Sequence, residues 1–112
     1  MSDCLFCRIL KKEIPSKQAF EDDSVYAFYD INPQAPTHIL LIPKKHVAGV
    51  AELEVGDETL AGRLVIRAKL LAKELGLKSY RLVFNSGPEA GQSVFHLHLH
   101  LLAGRRMNWP PG

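Results

Sequence analysis

Three of the chain's five histidines occupy alternate positions of one short apolar run, VFHLHLHLL, as His96, His98 and His100. Strand side chains alternate, so a strand would put these imidazoles on one face with Val94, and Phe95, Leu97, Leu99 and Leu101 on the other. The leucine face reads as core, and the histidine face then lines something polar. A solvated face would account easily for one histidine there, but poorly for three. An HxH pair on a strand can converge on a catalytic metal, although no Asp or Glu follows Glu89 to supply a further ligand or a base. The third possibility is direct work on an anion: one imidazole, titrating near neutrality, attacks phosphorus while its neighbours donate to the oxygens. The upstream residues favour this last chemistry. Gly91-Gln92-Ser93 closes a loop that also contains Gly87, where glycines can free backbone amides to surround a phosphate. The Ser93 hydroxyl can reach a bridging atom, and Asn85 adds an uncharged amide donor.

The elements that must hold these residues follow from the apolar pattern. Leu5, Phe6, Ile9 and Leu10 predict a short helix within 4–12, ended by Pro15 and Ser16. Residues 17–20 and 24–30, divided by Glu21-Asp22-Asp23, predict a hairpin with Val25, Ala27 and Tyr29 on one side. THILLIP at 37–43 is almost wholly apolar, as expected of a central strand covered on both faces. The long helix is predicted over 57–75, with Asp57 and Glu58 at its positive end and Gly76 as its C-cap. Its stripe of Leu60, Leu64, Ala68, Leu71 and Leu75 should face the sheet, while Ile66 and Leu70 lie opposite, as half of a dimer contact would. Residues 80–86 and 94–102 complete an α+β fold: an antiparallel sheet of about five strands, one long helix and a short N-terminal helix.

Bulk properties set the remaining bounds. A chain of 112 residues makes one domain, and its formal charge of +2 gives no argument for nucleic-acid binding. No apolar stretch reaches the roughly 18 residues of a membrane span. The N-terminus MSDCLFCRILKKE carries charges too early for a secretory signal, which predicts an unprocessed cytoplasmic protein. Cys4 and Cys7 form a CxxC too tight to staple a fold, and it reads as metal-binding, redox-active or a pair of buried thiols.

HLHLHLL at 96–102 resembles the HxHxHxx signature (x apolar) of the histidine triad, or HIT, superfamily. IPSKQAFEDDSVYAFYDINPQAPTHILLIPKKH at 14–46, GQSVFHLHLHLL and the terminal NWPPG resemble its Hint branch, and together they span most of the chain. The resemblance implies a homodimeric α+β fold that hydrolyses adenosine or guanosine 5′-phosphoramidates through a nucleotidyl-histidine intermediate. His98 would be the nucleophile, His100 would bind the phosphate oxygens, and His38 would support them. Ser93 would lie by the leaving nitrogen, with Asn85, Gly91, Gln92 and Val94 positioning the phosphate. Asp30 would hold the ribose hydroxyls, although from the sequence alone its type and position before Asn32-Pro33 read better as a turn initiator. Ile31, Phe6 and Ile9 would enclose the base, the last two reading otherwise as core. Zinc-holding branches of the superfamily imply a structural ion on Cys4, Cys7, His46 and His96, with no metal needed for the chemistry. Other members are dinucleoside polyphosphate hydrolases or nucleotidyltransferases, and a nucleotide-binding scaffold is the non-enzymatic alternative. Ala103 departs from the glycine usual at that position, and Arg105 and Arg106 follow it.

Overall fold

The computed structural model describes residues 3–112. Its order is α1 (Leu5–Leu10), β1 (Gln18–Glu21), β2 (Val25–Tyr29), β3 (Thr37–Pro43), α2 (Glu58–Glu74), β4 (Arg81–Val83) and β5 (Leu99–Ala103), with three single 3₁₀ turns between them. The strands form one antiparallel sheet in the order β1-β2-β3-β5-β4. As expected, β3 is central, and its apolar composition has a plain cause. Ile39 and Leu41 join Val25, Ala27, Leu99 and Leu101 against Leu64, Ala68 and Leu71 of α2. Leu40 and Ile42 point the other way and join Tyr26 and Phe28 against Phe6 and Ile9 of α1. The sheet is therefore sandwiched between the two helices, and the histidine-bearing face is the α1 face.

Helix ends are set by local chemistry. Gly76, with φ +72, closes α2: its N–H donates to the Lys73 carbonyl while that of Leu77 donates to Ala72. The same pair of bonds closes α1, from Lys12 to Ile9 and from Glu13 to Arg8, but here the left-handed position is held by Lys12 at φ 65. The helix thus keeps within the expected 4–12, but the turn at Lys12 ends it before Pro15 and Ser16 are reached. Leu75 likewise corrects the predicted stripe. It is the C-cap of α2, rotated off the buried face, and remains 44% exposed.

The larger correction concerns the last strand. Regular pairing begins only at Leu99, and residues 94–98 are irregular. The Leu97 N–H leaves the ladder to donate to the Val47 carbonyl at 2.6 Å, drawing this segment toward the loop after β3. Period two therefore fails before Leu99, and Phe95, expected in the core, is half exposed. β4 is also shorter than 80–86, with Phe84 and Asn85 beyond its end.

Candidate active site and metal cluster

His38 on β3 and His100 on β5 are brought together by the register that pairs Leu40 with His100 and His38 with Leu102. His98 sits just before β5, with its ring 5.0 Å from that of His100. The hydrogen bonds decide which nitrogen of each ring carries a proton. His98 Nδ1 lies 2.7 Å from the His96 carbonyl, which can only accept, so Nδ1 donates and Nε2 retains its lone pair. The Gln34 N–H donates to His38 Nδ1 at 3.0 Å, leaving the His38 proton on Nε2. That proton faces His100 Nδ1 at 2.9 Å, so neutral His100 carries its own on Nε2. Neighbouring rings thus take opposite forms: His98 keeps a lone pair on Nε2 and His100 an N–H on Nε2.

Burial favours neutral forms throughout. It pushes His98 down, partly offset by the His96 carbonyl and Asp30, and pushes His38 down against the opposing charge of Asp30. His100 falls from the ordinary 6.5 to about 4, through burial first and then through the charges of His98 and His38, with Asp30 opposing. Asp30 brings to the triad the carboxylate that no residue after Glu89 could supply: its Oδ2 is 3.5 Å from His38 Nε2. Its other oxygen accepts from the Asn32 N–H at 2.9 Å, so it is also the predicted turn initiator.

A cleft of about 240 Å³ opens beside these rings. Of the predicted residues, Phe6, Ile9, Asp30, Ile31, Ser93, Val94, His98 and His100 line it. Ile31 is almost fully exposed at its rim, whereas the edge of Phe6 packs on the His98 ring at 5.1 Å. The apolar wall includes Leu5, Ile14, Phe28 and Leu40, which sequence reasoning did not single out. The β2 alternation could have revealed Phe28, but nothing local marks the others. His38 lies behind His100, 4% exposed.

Gln92, Gly91 and Asn85 are not among the wall residues. The Gln92 amide is spent on backbone, accepting from Gly87 N–H at 2.9 Å and donating to the Ala48 and Val94 carbonyls. Amides of Ala90, Gly91 and Gln92 also close on the loop's own carbonyls. The expectation that glycine frees these amides for a phosphate is thus corrected: the loop consumes them in its own fold. Its Ser93-Val94 end is what faces the cleft.

The second cluster sits across α1. Cys4 Sγ and Cys7 Sγ lie 3.4 Å and 3.6 Å from His96 Nδ1, Cys7 Sγ is 3.3 Å from His46 Nδ1, and the two Nδ1 atoms are 3.1 Å apart. His96 Nε2–H donates to the Pro43 carbonyl at 2.8 Å, which turns its Nδ1 lone pair inward. Zinc bonds of about 2.0–2.1 Å to nitrogen and 2.3 Å to sulfur imply tetrahedral edges of about 3.3 Å and 3.6 Å, close to these. The donor set fits zinc, with the Cys4 sulfur also accepting the Cys7 N–H at 3.3 Å. His96 therefore belongs to this cluster. It contributes to the triad only through its carbonyl.

Fold and site together define an α+β domain with two neighbouring histidines on a cleft and a separate Cys₂His₂ group that could hold a metal ion. The family model for the HIT domain matches residues 11–107. A 14 kDa zinc-binding protein of Zea mays is 54% identical over 99% of this chain and 89% of its own length. Adenylylsulfatase HINT1 of Arabidopsis thaliana is 52% identical over 99% of this chain and 78% of its own. The crystal structure of a HIT family hydrolase from Legionella pneumophila Philadelphia 1 superposes with a TM-score of 0.96 at 54% identity, covering 98% of this chain and all of that one. The chain belongs to the HIT family.

Proposed function

We propose that the protein is a nucleotide hydrolase that cleaves the P–N bond of purine nucleoside 5′-phosphoramidates. The observation that carries this reading is the pair of opposite tautomers at His98 and His100. His98 Nε2 attacks the α-phosphorus, forming an N–P bond as the P–N bond to the leaving amine breaks. The His96 carbonyl holds the Nδ1 proton of the resulting cationic ring, and His100 Nε2–H donates to a phosphoryl oxygen. Ser93, on the cleft wall, passes a proton to the departing nitrogen and takes one back from the water that next attacks. Water then attacks the nucleotidyl-histidine and releases the nucleoside monophosphate. Phe6 and Ile9 offer apolar surface to the base, and Asp30 offers a carboxylate to the ribose hydroxyls.

Zinc on Cys4, Cys7, His46 and His96 would be structural, joining α1 to the segment that carries His98, and the reaction needs no metal. The exposed Val65 and Ile66 of α2 support a homodimer. Incubation with adenosine 5′-phosphoramidate should release AMP and yield an adenylylated chain by intact mass, lost in His98→Gly. Absence of AMP from the wild type would reject the phosphoramidase. A second reading comes from the relative named adenylylsulfatase: the same attack would expel sulfate from adenylyl sulfate, without needing Ser93 to protonate the leaving group. Ser93→Ala should then slow the phosphoramidate far more than the sulfate.

A further inference from the structure

The turn after β5 touches the loop that feeds His38. Gly104 has φ +98, and a Cβ there would come 2.8 Å from Pro36 Cβ. Next to it, Arg105 Nε–H donates to the Gln34 carbonyl at 3.0 Å, while its Nη1 donates to the Arg106 carbonyl. Gln34 is the residue whose N–H meets His38 Nδ1. Hydrogen bonds thus run in series from Arg105 through Gln34 and His38 to His100. The first half of this loop has its own anchors, from Asn32 N–H to Asp30 Oδ1 and from Gln34 Nε2 to the Asn32 carbonyl. The second half is held by Gly104 and Arg105.

We propose that Arg105 is a positioning residue: by pinning Gln34 against the turn after β5, it keeps His38 protonated on Nε2 and so makes His100 a donor toward the substrate. A neutral imidazole has two tautomers, and the partner of its other nitrogen selects between them. An amide on a surface loop makes that selection only while the loop is held. Releasing Gln34 leaves the Asp30 carboxylate, 3.5 Å from Nε2, as the one remaining fixed partner that favours a proton there. Part of the His38 population then takes its proton on Nδ1, and a lone pair faces His100 Nδ1. His100 must move its own proton inward to answer it, which turns a lone pair toward the phosphate.

The kinetic consequence rests on the phosphoramidase reading, whereas the tautomer of His38 does not. Arg105→Ala is therefore examined in two ways: imidazole nitrogen chemical shifts in the unliganded protein, and turnover of adenosine 5′-phosphoramidate. The wild type should show one protonated and one bare nitrogen on His38, and Arg105→Ala a mixture. In that variant kcat should fall about tenfold while KM stays within about twofold. Arg105→Lys should restore most of both, and Arg106→Ala, which keeps the backbone carbonyl that Arg105 uses, should match the wild type. A wild-type His38 tautomer in Arg105→Ala overturns the assignment, whatever kcat does, and so does a mixed tautomer with unchanged kcat. If the wild type released no AMP, the phosphoramidase reading would fail, and the nitrogen spectrum would still decide the role of Arg105.

Discussion

His98 and His100 share a strand-like run and a cleft, yet their hydrogen-bond partners give them opposite tautomers, and the roles proposed for them have measurable signatures. His38→Asn removes the Nε2–H that meets His100, so kcat should drop by about 10–100-fold with a smaller change in KM, as steady-state kinetics would show. The acid side of the pH profile is equally specific. Burial holds both His98 and His100 below the ordinary 6.5, His100 at about 4, so the acid limb of kcat/KM should be centred below pH 6.5. A limb centred at 6.5 or higher would contradict neutral, buried imidazoles. The same shift has a stability consequence. A histidine whose folded pKa is depressed binds its proton more readily unfolded, so its contribution is complete above about pH 6.5 and declines as pH falls toward 4. Urea unfolding across that window should show stability decreasing with acid, more steeply than in His100→Gln.

Among the elements, α1 bears on both clusters: Cys4 and Cys7 face the metal ligands while Phe6 packs edge-on against the His98 and His96 rings. Cys4→Ser should therefore lower the zinc content of protein purified without chelator from near one per chain, and lower Tm with it. A metal-free wild type of equal Tm would reject a structural ion. At the turn after β5, Gly104→Ala meets both a left-handed φ and the Pro36 ring, and should cost about 1–3 kcal/mol in chemical denaturation. The resemblance to HIT proteins pointed to all four residues of the Cys/His group. Local pattern reading, by contrast, overextended the last strand, because the Leu97–Val47 bond that ends regular pairing joins residues 50 apart. No periodicity within 94–102 records that partner.

The molecule as a whole is a sheet closed on both faces by helices of unequal size. The α2 layer carries most of the aliphatic core, and Leu99→Ala, at a fully buried position between β3 and α2, should cost about 2–5 kcal/mol. On the far side of α2, Val65 and Ile66 remain exposed while Leu70 is half-buried. If that face joins two copies, Ile66→Glu should shift sedimentation from dimer to monomer without loss of the fold. A wild type that sediments as a monomer would remove the homodimer from the functional reading.

Apolar patterning was enough to define the α+β class, the doubly covered β3, the long helix and its glycine cap, because each depends on residues close together in the chain. The triad's spacing likewise marked a polar site on an otherwise apolar run, and the resemblance to HIT proteins supplied expected roles for individual residues. Tertiary structure decided what those roles rest on. The Gln34 amide, the Pro43 and His96 carbonyls and Asp30 choose the protonated nitrogen of each ring, and they reach it across strands and loops. Tautomers follow from partners in space, and side-chain spacing along the chain holds no record of them. The alternation that first grouped His96 with His98 and His100 therefore holds only from Leu99 onward, and a departure from the ladder sends His96 to the metal cluster.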